Sequence, residues 1–546
     1  MKKYIFVIIA ALFINKAESQ NWQWAISCGK SNGDDFGRLA IDNNSNLYLA
    51  GIFYPFNGIF GNDTFPTNGG TDIVFAKLNS SGGFQWVQQI YGNGIEGIGA
   101  PVFSSTNNGF FLYGAFDDSI TLGTTGLASG GAYDIYLALY DLSGNCQWAK
   151  KAGGTGTDAI YRVASDNNGN LYAIGYVTDT AYFDSYAVPK GYYLAKYNSS
   201  GNCQWGKKIL SETGITSISC YNNEVIVSGG VTNDTIIIDT DTLYSNNPCC
   251  DLLLAKFDSN GNLTWAKLDG GGTVYLETFS KYDNSGNIYV ACNISGTDTS
   301  TFGSTIFLPT GAGSETALIK YDNNGNVIWA KETLSSNDCR VQDLSVNNGD
   351  GSCYMTGRFK DTITMDAYTV NTIASGNVDI FLARYNANGD CQGIRNTQVD
   401  VDGPSPGGGY SVVQEPNSTC YVAGQFRNAA TFDTYTITSV WQKDIFIAKI
   451  DAIIGVGEGK FAENNTLLIY ANPNAGKCNI TVPDDFLHEK KLTLSIYDNT
   501  GRLIQQKTLE MSGGKIKLNL EAEAKGVYNV TLSNGKKSYN GKIVFE

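Results

Sequence analysis

The feature that most constrains this chain is a phrase it repeats. At Ala195-Lys196-Tyr197-Asn198-Ser199-Ser200-Gly201-Asn202-Cys203-Gln204-Trp205 an apolar run ends in Ala-Lys-aromatic and a polar, glycine-containing turn follows. A second run then places Trp four residues past the glycine. The phrase returns at 76–86, 138–148, 255–265 and 319–329, and at 383–393 with Gly393 in place of Trp. Its aligned positions Lys77, Leu139, Lys196, Lys256, Lys320, Arg384 and Lys449 are 62, 57, 60, 64, 64 and 65 residues apart. A period this regular marks a repeat architecture, in which each unit buries its apolar face against its neighbours.

A second phrase runs through each period, as in Asp166-Asn167-Asn168-Gly169-Asn170-Leu171-Tyr172-Ala173-Ile174-Gly175, with relatives starting at Asp42, Ser105, Tyr221, Asp283, Asn347 and Glu415. Asn-Gly and Asn-Asn between apolar runs signal hairpins, because tight turns there need positive φ. One period therefore reads as four antiparallel strands: A, an Asn/Gly turn, B, a long variable link, C, an Asn/Asp turn, and D. That is the blade of a β-propeller. Residues 21–26 read as a D strand with no A, B or C before it, and 443–451 as a C strand with no D after it. The expectation is an all-β chain with a seven-bladed propeller over 20–451, closed by the N-terminal strand so that no sheet edge stays open. Trp24, Trp86, Trp148, Trp205, Trp265 and Trp329, six of the eight Trp, fall at one position per blade and read as inter-blade packing.

Blades written Asp-x-x-Gly-Asn-x-Tyr-x-x-Gly, then Asp-x-Tyr/Phe-Leu-Ala-Lys-Tyr-Asn-x-x-Gly-x-x-x-Trp, resemble the SBBP-type seven-bladed propeller repeats of secreted bacterial proteins. The resemblance spans residues 21–451 and speaks to fold far more than to activity.

A linker with Gly455, Gly457 and Gly459 follows over 452–465. Beyond it, short strands with frequent turns predict a small immunoglobulin-like β-sandwich over 466–546. Asn472-Pro473-Asn474, Tyr497-Asp498-x-x-Gly501-Arg502, Gly526-x-Tyr528 and the basic end at Lys542 resemble the type A C-terminal sorting domain of type IX secretion. Ala471 departs from the Pro usual there. The resemblance implies passage across the outer membrane by the type IX machinery, removal of the domain, and attachment to surface lipopolysaccharide. An ordinary immunoglobulin-like binding module is the alternative.

Charge and chemistry narrow the function. A net charge of −14 lacks the basic face that nucleic acid requires. His488 is the single histidine and falls in the terminal sandwich. The propeller therefore has no Ser-His-Asp or Cys-His set and no multi-histidine metal site. No cofactor is implied. The twelve Cys include no Cys-x-x-Cys and read mostly as small buried apolar residues, with a few bridges open to an exported chain. Asp258–Trp265 is superficially like the sialidase Asp box, with both spacings one residue too long. The runs 166–170 and 322–326 offer clustered oxygens but lack the bidentate acid that closes a calcium loop, and Asn and Gly are what a hairpin turn demands. Asp400 and Asp402 are candidates for a cation, set against the plainer reading as a solvated connection.

In up-and-down blades the B–C and D–A links share one face. The irregular stretches 53–70, 116–132, 231–249 and 296–313 fall there, so that face is expected to bind glycan or a surface protein. The alternative is a polysaccharide hydrolase or lyase with an Asp/Glu pair in the central channel. The A-strand segments 37–41, 161–165, 216–219 and 411–413 are nearly free of acids, which favours binding.

At the front, Lys2 and Lys3, the apolar run 4–14 and Ala17-Glu18-Ser19 have the form of a signal peptide over 1–19, cut between Ser19 and Gln20. Intact-mass measurement of the exported protein is expected to find Gln20 first. A mass that includes 1–19 would overturn this.

Overall fold

The computed structural model describes residues 21–545 except 30–33, 55–56, 68, 105, 212–213, 233, 246–249, 312, 374–377, 400–407, 441–442, 454–466, 468, 471–475, 484–485, 488, 498–501, 511–514, 521–522 and 535–537. Contacts divide the chain into two compact units, one ending at Gly455 and the other beginning at Val456. Both are built from strands.

Among the described residues, the first unit contains seven sets of four antiparallel strands in the order A-B-C-D, three of them sheets on their own and four extended to six strands by a hairpin. The third is representative: Asp158–Ser165, Leu171–Val177, Gly191–Tyr197 and Cys203–Leu210. Its B and C strands are almost wholly buried, as strands covered on both faces must be. In the last sheet Gly408–Gln414, Cys420–Phe426 and Asp444–Ile450 supply A, B and C. The fourth strand is Trp22–Cys28 from the front of the chain, with Trp24 opposite Lys449 and Ile26 opposite Ile447. Among the described residues the strands close no hydrogen-bonded barrel. The A strands instead touch their successors from sheet to sheet, and the seventh touches the first.

The D-strand Trp residues lie between sheets. Trp24, Trp86, Trp148, Trp205, Trp265 and Trp329 each stand against the C–D turn glycine of the following sheet: Gly82, Gly144, Gly201, Gly261, Gly325 and Gly389. At Gly201, φ is +77° and a Cβ would fall 2.7 Å from the Trp148 ring, so only glycine fits that contact. The indole Nε1 of Trp148 donates to the Ser199 carbonyl at 3.0 Å, and that of Trp329 to Ala387 at 3.1 Å. The repeated Lys and Tyr join them: Lys196 Nζ lies 5.0 Å from the Tyr172 ring centroid, and Lys320 Nζ 4.7 Å from that of Tyr289.

The B–C links differ from expectation. Rather than irregular loops, each carries a short β-hairpin. The first central turn residues are Gly61, Gly123, Asp184, Asp239, Gly303, Asp366 and Asp433, all with φ between 49 and 63°. Gly and Asp tolerate that conformation. Each hairpin docks on the D strand of the preceding sheet, through paired strands at Thr121/Tyr91, Ile238/Leu210, Thr364/Leu334 and Thr431/Gln398. Single bridges do the same at Ile59/Gly29, Tyr182/Gly153 and Thr301/Gly270. The turn acids complete the staple. Asp184, Asp366 and Asp433 accept the N–H of Cys203, Cys391 and Trp22, the first residues of their own D strands. Lys207 and Lys331 of preceding D strands reach Asp239 and Asp366 at 2.8 and 3.1 Å.

The second unit has two sheets. Lys491–Tyr497 lies between Leu503–Glu510 and Gly526–Ser533, with Ser538–Phe545 outside. The other sheet holds Ile469–Tyr470, Lys477–Thr481 and Lys515–Asn519. Leu494, Ile496, Val530, Leu532 and Ile543 share one core with Ile480 and Leu518, so the two sheets face each other.

Replacing Asp366 by Ala removes the cap on Cys391 and leaves a side chain with positive φ. The expected loss is about 2 kcal/mol of unfolding free energy. Asp366→Gly is expected to cost less, because it relieves the backbone term. Denaturant unfolding of both variants checks this, and equal losses would remove the conformational argument.

Candidate functional site

Each A strand is a sheet edge, and its backbone groups need partners. Side chains of neighbouring A strands supply many of them. Arg38 Nη1 donates to the Tyr410 carbonyl, and Ser411 Oγ accepts the Leu39 N–H at 3.0 Å. Asp343 Oδ2 accepts Val412 N–H at 2.9 Å. Arg162 Nε donates to the Thr216 carbonyl at 3.1 Å. Thr216, Ser217 and Ser219 take the N–H groups of Thr278, Ser280 and Tyr282.

This stitching coincides with a second repeated irregularity. Where A pairs with B, the register slips between Asp35 and Arg38, Ile160 and Arg162, Val274 and Thr278, Val341 and Asp343, and Gly409 and Ser411. A bulge re-aims side chains. Tyr161, the segment Tyr275-Leu276-Glu277, Gln342 and Tyr410 are the residues left out of the ladder at these slips, near the start of their A strands. Tyr161 is 40% exposed, Tyr275 36% and Leu276 49%. Tyr192 stands 6.1 Å from Tyr161 and 5.0 Å from Tyr176, centroid to centroid. Arg340 lies 5.9 Å from the Tyr275 ring centroid, and Arg38 5.7 Å from that of Tyr410.

Below this aromatic mouth lie charges. Arg162 Nη2 is 3.9 Å from Glu277 Oε1, and its guanidinium is 4.8 Å from the Phe279 centroid. Loss of hydration, with the Arg162 charge, holds Arg38 below the usual guanidinium range. Lys281, although exposed by surface area, is pushed down by loss of hydration and by Arg162, against the opposing pull of Asp343. Glu277 and Asp343 correct the expectation of nearly acid-free A strands. They lie in the fifth and sixth A strands, Val274–Tyr282 and Asp338–Val346, outside the segments on which it rested.

The other polar positions serve the backbone. Asp166 Oδ1 accepts the N–H of Asn168 and Asn170, and its Oδ2 accepts Asn170 Nδ2. Asp322 does the same for Asn324 and Asn326. These oxygens are spent within the turn. Buried Asp134, Asp158 and Asp379 take N–H groups of Gly130, Gly154 and Ile373, latching the links. Among the described residues no group of three or more His, Cys, Asp or Glu fits a metal ion. Asp400, Asp402, His488, Ser19, Gln20, Asn472, Pro473, Asn474, Asp498 and Gly501 lie outside the described residues. Of the remaining tail positions, Arg502 is exposed, Gly526 opens a strand, Tyr528 is buried and donates to the Ala524 carbonyl, and Lys542 falls within the last strand. The described cysteines include free, buried Cys203, Cys353 and Cys391, their thiols pushed up to about 12 mainly by burial.

Comparison with known proteins adds one firm assignment. Residues 468–546 match the secretion system C-terminal sorting domain. The protein is secreted, to the outside or outer surface of the cell, and the sorting domain is its contact with the type IX machinery. An uncharacterized WD repeat-containing protein of Acanthamoeba polyphaga mimivirus is 24% identical over 63% of this chain. The chain spans about a third of that relative's length (31%). Among solved structures, a member of the duf4221 family from Bacteroides vulgatus is 11% identical, covers 62% of this chain and 93% of its own, and has a TM-score of 0.29. The GH43 protein BlXynB from Bacillus licheniformis is 12% identical, covers 70% and 88%, and has a TM-score of 0.23. No activity is carried over from either.

Burial raises several carboxyls, among them Glu96 to about 8 with help from Asp72, Glu332 to about 7 with help from Glu315, and Asp158 to about 6. Each native pKa exceeds its unfolded value of roughly 4, so the native state holds more protons between about pH 4.5 and 8. Stability is therefore expected to fall as pH rises through that window. Calorimetry should find a higher melting temperature at pH 5 than at pH 8.5, and Glu96→Gln should narrow the gap.

Proposed function

We propose that residues 20–451 form a seven-bladed β-propeller of SBBP-type repeats, closed by its N-terminal strand, that binds carbohydrate where its A strands converge. Residues 452–465 then link it to the sorting domain at 466–546, and surface lipopolysaccharide is the anchor in the attached form. In support of the ring stand seven like sheets and the succession of A strands from each sheet to the next. The similarity to a WD repeat-containing protein is consistent with it.

The observation that carries the binding reading is the aromatic mouth. Tyr161, Tyr275 and Tyr410 stand at or beside bulges, where an ordinary ladder would have tucked them between sheets. Half-exposed rings offer flat apolar faces to a sugar, while Glu277, Arg162 and Arg340 offer hydrogen bonds to its hydroxyls. The B–C links, being spent as staples, contribute less than sequence suggested. The face is the same, but its recognition elements sit at the axis.

A second reading, a glycan hydrolase or lyase, is favoured by one observation: Glu277 and Asp343 on adjacent inner strands. Reducing-sugar release abolished by Glu277→Gln would support it. Under the binding reading, titration calorimetry of a glycan-array hit against Tyr161→Ala/Tyr275→Ala should show at least tenfold weaker binding, roughly 1.4 kcal/mol. Unchanged affinity would sink it.

A further inference from the structure

Three cations on A strands, Arg38, Arg162 and Lys281, stand near enough for the Arg162 charge to act on the other two, in a chain whose net charge is −14. Arg38, Arg162 and Lys281 belong to the first, third and fifth sheets. Arg38 and Arg162 occupy the same place, directly after the bulge, so they share a level. Lys281 stands one residue from the end of its strand, beyond Phe279, whose ring receives Arg162 from across the intervening A strand.

Their donors are largely unspent. A guanidinium carries several N–H groups, and a single one of each is hydrogen-bonded, to the Tyr410 and Thr216 carbonyls. Glu277 stands at 3.9 Å from Arg162, and Asp343 directs Oδ2 to the Val412 N–H. Lys281 makes no hydrogen bond or ion pair among the described residues. It is exposed, and Asp343, the acid that pulls on it, directs its Oδ2 to the Val412 N–H. Equivalent positions elsewhere hold uncharged residues: Ala40, Ala164, Ser345 and Val413.

We propose that these cations form an anion subsite, and that the carbohydrate bound at the tyrosine mouth is acidic, with its carboxylate or sulfate held by Lys281 together with the free donors of Arg162 and Arg38. The assignment rests on the glycan reading above and gives it a substrate class. Planar guanidinium groups suit such oxyanions, and Lys adds a point charge. The two nearby acids set polarity along the axis: Glu277 lies at the mouth, where sugar hydroxyls pass, and Asp343 is held to the backbone.

The test is titration calorimetry of the mature protein with an oligogalacturonate, a sulfated galacto-oligosaccharide and a neutral cello-oligosaccharide of matched length. Lys281→Met is expected to weaken the acidic ligands at least tenfold and leave the neutral one unchanged, with Lys281→Arg restoring acidic binding. Affinity for the acidic ligands should fall as salt rises from 50 to about 500 mM, while the neutral one stays constant. Circular dichroism and the melting temperature of Lys281→Met should match wild type, since no contact is lost. Acidic binding insensitive to Lys281→Met, or neutral glycans bound more tightly than acidic ones, would overturn the anion subsite and leave the glycan reading standing. If no oligosaccharide binds, both fall together.

Discussion

Everything in the first unit depends on how the two open edges of each sheet are closed. A four-stranded sheet leaves unpaired backbone groups on its first and last strands, and edges of that kind recruit other chains. Here the outer edge is covered by a hairpin lent from the next sheet. The inner edge is stitched by hydroxyls, a carboxylate and guanidinium groups from neighbouring A strands. The last sheet receives its fourth strand from the opposite end of the chain. Each device joins one sheet to another, so closing an edge also fixes which sheet comes next.

The site follows from the same constraint. Side chains that stitch A strands must reach sideways, and the bulges make room for them. The residues displaced at those bulges leave the ladder, which is why Tyr161 and Tyr275 stand partly exposed there. Charge accompanies them, because Arg38, Arg162 and Asp343 spend part of their hydrogen-bonding capacity on the fold and keep the rest available. A residue such as Lys281, which contributes nothing to the stitching, stands out against that background.

The repeated Trp, Lys and Tyr have a division of labour that explains their period. Trp lies on the next sheet's turn glycine, Lys covers the Tyr ring of its own sheet, and one side-chain oxygen of the turn Asp or Asn accepts two N–H groups of its loop. Polar residues that suggest ligand chemistry in isolation are consumed by backbone geometry. The buried acids at strand starts serve the links in the same way and carry raised pKa values as the consequence.

Periodicity made the strand order, the two orphan end strands and the division from the tail readable in the chain, because pairing partners recur at fixed separations and turn residues announce themselves. The hairpins in the B–C links carried a signal too, an apolar residue followed by Gly or Asp at 60–61, 122–123, 183–184 and 365–366, but it is shorter than the main phrases and was masked by their variable flanks. Nothing linear marked the bulges, or that Glu277, Asp343 and Lys281 converge with Arg38 and Arg162. Residues more than 200 positions apart meet only after the sheets close on one another. Sequence by itself determined the strands, their repeat and the export address, since these rest on local pattern. Tertiary structure alone decided which side chains leave the ladder, since that depends on register slips in five of the seven A strands, of one residue in four of them and two in the fifth sheet's.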